Sequence, residues 1–217
     1  MLRPALAAAA ALALGLAVTA APAAAGNMAH VHMGHVMTGW KDTPEGKGFL
    51  PTAEAEAEVA AQHAGFAAQK PEDLDWMKTH TRHVMHAVDP TTMQGGPGHG
   101  YGLVKAANGV LQHIKLAART DAATDNVKLH ATHVATSANN VANWGQQIIG
   151  LGKEVLAAES AGKAAPLVRR IRDMTQWCLN GRDADDDGSV SWKEGEGGLT
   201  QARQHMGFMA KGEGLDM

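Results

Sequence analysis

The chain has 217 residues, with 19 basic and 22 acidic side chains, twelve histidines and one cysteine, Cys178. A slightly acidic chain is not suited to nucleic acid, whose recognition requires clustered Lys and Arg. One cysteine excludes an internal disulfide, so we expect the core and bound ions to stabilise the protein. The length is typical of one medium domain with a small additional module.

The first 25 residues have the features of a secretory signal peptide. Arg3 supplies a positive start, an apolar run rich in Ala and Leu covers 5–20, and Ala23 to Ala25 form a small-residue cleavage site. The apolar run is short and no second one follows, so the sequence predicts no membrane span after signal removal. We therefore expect a periplasmic or secreted protein whose mature chain begins near Gly26.

Residues 26–51 are rich in Gly, Pro, His and Met and are predicted to be irregular. Helices are predicted next over about 52–69, 71–89, 102–119 and 121–158, because apolar residues recur there at helical spacing. No stretch alternates as a strand would. The predicted fold class is therefore all-α: a four-helix up-down bundle of two duplicated helical hairpins over 52–160, followed by a small module over 165–212.

Three histidines occur twice in the same spacing, fifty residues apart: His63, His80 and His83, then His113, His130 and His133. Their surroundings also repeat, since Gln62 precedes the first set as Gln112 precedes the second. This pattern indicates an internal duplication. In an up-down bundle both hairpin turns lie at the same end, so we expect the six imidazoles to form one layer.

Neutral imidazoles are common ligands of zinc, copper, nickel and iron, and the layer therefore predicts a transition-metal site. Two alternatives use the same histidines: a b-type haem held by two of them, or a dinuclear redox centre. Covalent haem attachment is excluded because no C-x-x-C-H motif occurs. A further alternative is that the histidines are polar residues in helix packing.

A third H-x-x-H-V motif lies in the N-terminal segment. His32 and His35 are interleaved there with Met33 and Met37, and these four are predicted as additional metal ligands. Copper is favoured over zinc because it accepts both imidazole and thioether ligands. The remaining histidines have no counterpart in the repeat and are predicted to lie on the surface or in loops: His86, His99 and His205.

An acidic motif, DADDDGSVSWKE, occupies residues 183–194. It resembles the twelve-residue calcium loop of an EF-hand, with glycine at the sixth position and glutamate at the twelfth. The resemblance implies a Ca²⁺ site with these ligands: Asp183, Asp185, Asp187, Ser189, Ser191 and Glu194. The helix expected after the loop departs from the pattern, because Gly195, Gly197 and Gly198 stand at its start.

The sequence contains no nucleophile motif, H-E-x-x-H pair or phosphate-binding loop, and few carboxylates accompany the histidines. This favours binding over catalysis. The leading hypothesis is an exported protein that holds a transition metal, copper above zinc, nickel or iron, and separately binds calcium. The alternatives are a haem or dinuclear redox protein, and a calcium-binding module that docks a protein partner.

Overall fold

The computed structural model describes residues 27–217 and contains seven α-helices and no strand in that range. The helices are α1 (Met28–Met37), α2 (Phe49–Gln69), α3 (Leu74–Val88), α4 (Leu103–Arg119), α5 (Asp125–Ala157), α6 (Ala161–Asn180) and α7 (Leu199–Gly212), and a short 3₁₀ turn, Pro44–Gly46, precedes α2. The all-α class is confirmed. The predicted signal peptide, residues 1–25, lies outside the described residues.

Two helices begin a few residues later than predicted, because side-chain caps set their first turns. Asp73 accepts a hydrogen bond from the backbone N–H of Trp76 at 2.9 Å and caps α3. Thr124 accepts one from the N–H of Val127 at 3.1 Å and caps α5. Such caps satisfy N–H groups that have no partner within the helix. Both predicted hairpins are helical, as α2–α3 and α4–α5.

The prediction that residues 26–51 are irregular is wrong, because α1 and the start of α2 lie there. Asn27 caps α1 by accepting hydrogen bonds from the N–H groups of Ala29 and His30. Ala29, Met33 and Val36 recur at helical spacing and are fully buried. The sequence predicts an irregular segment because its high content of Gly, His and Met outweighs this short apolar stripe.

The 33-residue helix α5 is the centre of the fold and packs against α3, α4, α6 and α7. Helix α2 packs against α3, α4 and α6 through a face made mainly of alanines. One hydrophobic cluster includes residues from all seven helices, so the segment 165–212 shares its core with the preceding helices. Within residues 27–217 no helix is long and apolar enough to cross a membrane.

The glycine-rich connection before α4 is organised by Glu56, a fully buried carboxylate on α2. Glu56 accepts hydrogen bonds from the backbone N–H groups of His99 at 3.1 Å and of Tyr101 and Gly102 at 2.9 Å each. Gly102 has φ +90° and is the N-cap residue of α4, so the carboxylate also lies at the positive end of that helix. The connection is thereby held against the core.

Candidate metal centres

Nine of the twelve histidines lie in three groups of three, and within each group one ring nitrogen per residue lies within 4.8 Å of the others. We name each group by the helices that supply it. They are the α1–α4 site (His32, His35, His113), the α2–α3 site (His63, His80, His83) and the α5–α7 site (His130, His133, His205). Each site combines an H-x-x-H pair from one helix with a single histidine from another.

The α2–α3 site contains the first of the two predicted triads. Nδ1 of His63 lies 2.9 Å from Nδ1 of His80 and 3.2 Å from Nδ1 of His83. The H-x-x-H spacing places His80 and His83 side by side on α3, because residues three apart share one helix face. A four-residue connection brings His63 opposite them.

The other two sites have the same geometry. In the α1–α4 site, Nδ1 of His113 lies 3.0 Å from Nδ1 of His32 and 3.2 Å from that of His35. In the α5–α7 site, Nδ1 of His205 lies 3.1 Å from Nδ1 of His130 and 3.2 Å from that of His133. The same nitrogen, Nδ1, therefore faces the centre of every site.

The structure does not bring the six predicted histidines together in one group. The second triad is divided, since His113 joins the pair on α1 while His130 and His133 join His205 on α7. The reason is that α1 packs on α4 and α7 packs on α5, so the second hairpin meets two helices that the repeat does not include.

The expectation that His205 lies on the surface or in a loop is wrong, because it lies on α7 and meets His130 and His133. The sequence held a signal for this grouping. Gln204-His205-Met206-Gly207-Phe208 matches Gln62-His63-Ala64-Gly65-Phe66 at four of five positions. The Gln-His pair occurs three times, as does H-x-x-H-V. Counting both motifs, rather than the fifty-residue period, indicates three sites.

The predicted thioether ligands lie in the core. Met33 is fully buried in the hydrophobic cluster, and Met37 is partly buried against it. Met33 directly follows His32, and consecutive residues of a helix point about 100° apart, so His32 faces α4 while Met33 faces inward. The expected mixture of imidazole and thioether at this site is therefore replaced by three imidazoles.

Each site is flanked by one Phe and one Trp, whose ring centroids lie 3.9–5.6 Å from those of the site histidines. The three pairs, in chain order, are Trp40 with Phe49, Phe66 with Trp76, and Trp192 with Phe208. All three phenylalanines of the chain are used in this way. The aromatic rings restrict the imidazole rotamers and shield part of each site from water.

Burial and neighbouring imidazoles lower the pKa of eight site histidines and so favour their neutral form. Burial first, and then the other two histidines of the site, lower the pKa of His63, His113 and His205 to about 4. Burial also lowers the pKa of other members of the sites: His32, His80, His83, His130 and His133. At neutral pH the lone pairs of these nitrogens are available for a metal ion.

The three histidines outside the sites have other partners. Nε2 of His30 lies 3.0 Å from a carboxylate oxygen of Glu213 on α7. Nδ1 of His86 lies 2.8 Å from the carbonyl oxygen of Met93, and the backbone of His99 bonds to Glu56. These contacts fasten the N-terminal helix and the glycine-rich connection.

The acidic motif forms a compact loop after α6. The carboxylates of Asp183, Asp185 and Asp187 lie within 4.8 Å of one another. Asp183 accepts hydrogen bonds from the N–H groups of Asp187 at 3.1 Å and Gly188 at 2.8 Å. Gly188 has φ +87°, a conformation that favours glycine, and it provides the sharp turn that the motif implies.

The second half of the loop differs from an EF-hand. Ser191 donates its hydroxyl to Glu196 at 2.6 Å, whereas Glu194 is exposed and is not part of the carboxylate group. The next helix begins only at Leu199, five residues after Glu194. The glycines between them and the hydrogen bonds to Glu196 hold this segment in a turn. The predicted ligand Glu194 is therefore not grouped with the three aspartates, and the hydroxyl of the predicted ligand Ser191 is bonded to Glu196.

Comparison with known proteins provides no relative: no family model, no curated protein and no solved structure matches the chain. The functional argument therefore rests on the geometry of the three histidine sites. These sites are the largest concentration of metal-ligating side chains in residues 27–217.

Proposed function

We propose that this protein is an exported transition-metal-binding protein that holds one ion in each of its three histidine sites, with copper as the favoured metal. One observation carries the proposal: three H-x-x-H pairs each meet a single histidine from another helix with the same Nδ1 geometry. Packing alone does not require three histidines with the same geometry at each of three helix contacts.

The distances within each site match an ion with imidazole ligands. Ligand nitrogens lie about 2.0–2.1 Å from an ion such as zinc, so two of them in tetrahedral geometry are about 3.3 Å apart. In each site, Nδ1 of the single histidine lies 2.9–3.2 Å from Nδ1 of each histidine in the H-x-x-H pair. Displacements of a few tenths of an ångström would therefore accommodate the ion.

A single ion fits this arrangement better than haem. A bis-histidine haem needs two imidazoles on opposite faces of the porphyrin. Here the three Nδ1 atoms of a site converge on one point, and two of them come from adjacent turns of one helix. A dinuclear centre is also disfavoured, because each group supplies only three ligands.

Copper is favoured by the charge of the sites. In the described residues, each triad consists of histidines alone, without a carboxylate or thiolate. Three neutral ligands leave the charge of the ion uncompensated in a partly buried, aromatic environment, where the cost of charge rises steeply. Monovalent copper carries the smallest charge among the metals that imidazole binds, and it tolerates three ligands.

The test is a metal titration of the purified mature chain. With Cu(I) in a competing chelator, and with Zn(II) in parallel, we expect three copper ions per chain by elemental analysis and weaker zinc binding. The variant His63→Ala/His113→Ala/His205→Ala should bind none, whereas the matched variant His30→Ala/His99→Ala should bind three. Retention of metal by the first variant would refute the proposal; preference for zinc would refute the choice of copper.

Export is part of the proposal and rests on residues 1–25. Cell fractionation with N-terminal sequencing should find a mature chain that begins near Gly26 in the periplasm or medium. Protein confined to the cytoplasm with an intact N-terminus would contradict it.

We also propose Ca²⁺ binding at the loop 183–194, on the observation that three carboxylates converge around a loop closed by Asp183. Ca²⁺ should raise the melting temperature, and Asp183→Asn should abolish the increase. Comparing Glu194→Gln with Glu196→Gln would show which glutamate completes the site. An unchanged melting temperature of the wild-type protein in Ca²⁺ or chelator would refute this site.

A further inference from the structure

A pocket of about 700 Å³ opens beside the α1–α4 site, and His113 forms part of its wall. This volume is in the range of pockets that bind small molecules. His113 also directs Nδ1 towards His32 and His35, so one residue belongs to both the metal site and the pocket. Three imidazoles leave one position open on a four-coordinate ion. His113 is therefore the residue through which the pocket adjoins the metal site.

The inner wall of the pocket is aromatic. The Trp40 ring lies 4.9 Å from the His113 ring and 5.3 Å from that of Phe49, and Phe49 in turn stacks on His113 at 5.1 Å. Tyr101 extends this wall, 6.5 Å from Phe49. Gly109 makes room for the Phe49 ring, since a Cβ at position 109 would lie 2.3 Å from that ring. The shape and composition favour a flat aromatic ring.

The outer rim is polar and carries a cation. Lys105 is exposed, and its Nζ lies 4.0 Å above the centre of the Tyr101 ring. Asn108 and Gln112 follow on the same face of α4. The only carboxylate in the wall, that of Asp89, already accepts hydrogen bonds from the N–H and hydroxyl of Thr91. With an ion in the site, the pocket has a net positive charge.

We propose that the α1–α4 site, once loaded with metal, binds an aromatic nitrogen heterocycle that carries a carboxylate. The ring nitrogen becomes the fourth ligand of the ion, the ring packs among Trp40, Phe49 and Tyr101, and the carboxylate faces Lys105 at the rim. This inference rests on the proposed function, because the heterocycle binds through the metal. It makes this site a receptor for a small molecule or for a metal complex of one.

Isonicotinate is a suitable probe, because its nitrogen and carboxylate stand at opposite ends of one ring. Protein loaded with three Cu(I) ions should bind one isonicotinate per chain, measured by calorimetry and by the metal-to-ring charge-transfer absorption. Benzoate, which lacks the nitrogen, and pyridine, which lacks the carboxylate, should each bind more weakly. Lys105→Met should lower the affinity for isonicotinate by up to about fivefold, as expected for an exposed charge pair.

Two variant pairs locate the ligand. His113→Ala should abolish binding and His63→Ala should preserve it, although each removes one ion. Asn108→Trp should fill the pocket and abolish isonicotinate binding while three ions remain bound. Lys115→Trp, on the same helix but outside this pocket, should leave isonicotinate binding unchanged. If three ions bind but isonicotinate does not, or if it binds equally to His113→Ala, the inference fails while the proposed function stands. If no ion binds, the proposed function fails first.

Discussion

Trp192 stacks on His133, with ring centroids 3.9 Å apart and ring planes 20° from parallel. Trp192 belongs to the acidic loop, whereas His133 is a member of the α5–α7 site. The loop is itself fixed on α5 by Asn140, whose side chain donates to the carbonyl oxygens of Lys193 at 2.9 Å and Gly197 at 3.1 Å. The loop conformation and the orientation of one candidate metal ligand are therefore coupled.

Replacement of Trp192 should weaken the α5–α7 site alone. Trp192→Leu removes the ring that stacks on the His133 imidazole and orients it, so the affinity of this site for the ion should fall. A competition titration should show one of three ions bound more weakly. Trp76→Leu is the matched control, since it should weaken the α2–α3 site instead. Equal weakening of all three sites by either change would contradict the local role of these rings.

His205→Ala should reduce the number of bound ions from three to two. The α5–α7 site loses the histidine that meets both His130 and His133, and two imidazoles on one helix make a much weaker site. Elemental analysis after dialysis against a weak chelator measures the count. His99→Ala is the control and should leave three ions bound. A count unchanged by His205→Ala would show that His205 is not a ligand of any of the three ions.

The metal-free protein should lose stability in acid. The folded-state pKa of His63, His113 and His205 is lowered to about 4, from an ordinary value of 6.5 that applies when the chain unfolds. Between these values the unfolded chain binds more protons than the folded one, so the free energy of unfolding falls as pH falls through this window. Above about pH 6.5 the contribution is complete and should not change.

Urea unfolding of the metal-free protein at several pH values measures this effect. The triple variant His63→Gln/His113→Gln/His205→Gln cannot titrate at these positions, so its stability should depend less on pH in the same window. A bound ion should steepen the dependence and extend it to lower pH, because ligated histidines take up no protons in the folded state until the ion is released. An identical pH dependence of the wild type and the triple variant would contradict the role of these histidines.

Glu56→Gln should destabilise the fold without removing any metal ligand. The buried carboxylate accepts three backbone N–H bonds from the connection before α4, and an amide can satisfy fewer of them. We expect a loss of about 1–3 kcal/mol in the free energy of unfolding. Chemical denaturation measures it, with the exposed Glu58→Gln on the same helix as the control, expected within about 0.5 kcal/mol. A loss no larger than that of the control would show that the Glu56 carboxylate is not needed to hold the connection before α4.

The sequence alone determined most of the helices and the histidine pairs. Periodic apolar residues were sufficient for the all-α class and for the helices that contain His63, His80, His113 and His130. The H-x-x-H spacing by itself places two imidazoles on one face of a helix, whatever the helix packs against. Helix α1 was missed because ten residues with a narrow apolar stripe, Ala29, Met33 and Val36, resemble an irregular segment in composition.

Only the tertiary structure decided which histidines meet. The gap of 17 residues is the same from His63 to His80 as from His113 to His130, yet the first pair shares a site and the second does not. A sequence interval sets the height of two residues in a hairpin but not the rotation of its helices about their axes. That rotation follows from the packing of α1 on α4 and of α7 on α5, which gives His113 and His205 partners from 72 to 81 residues away.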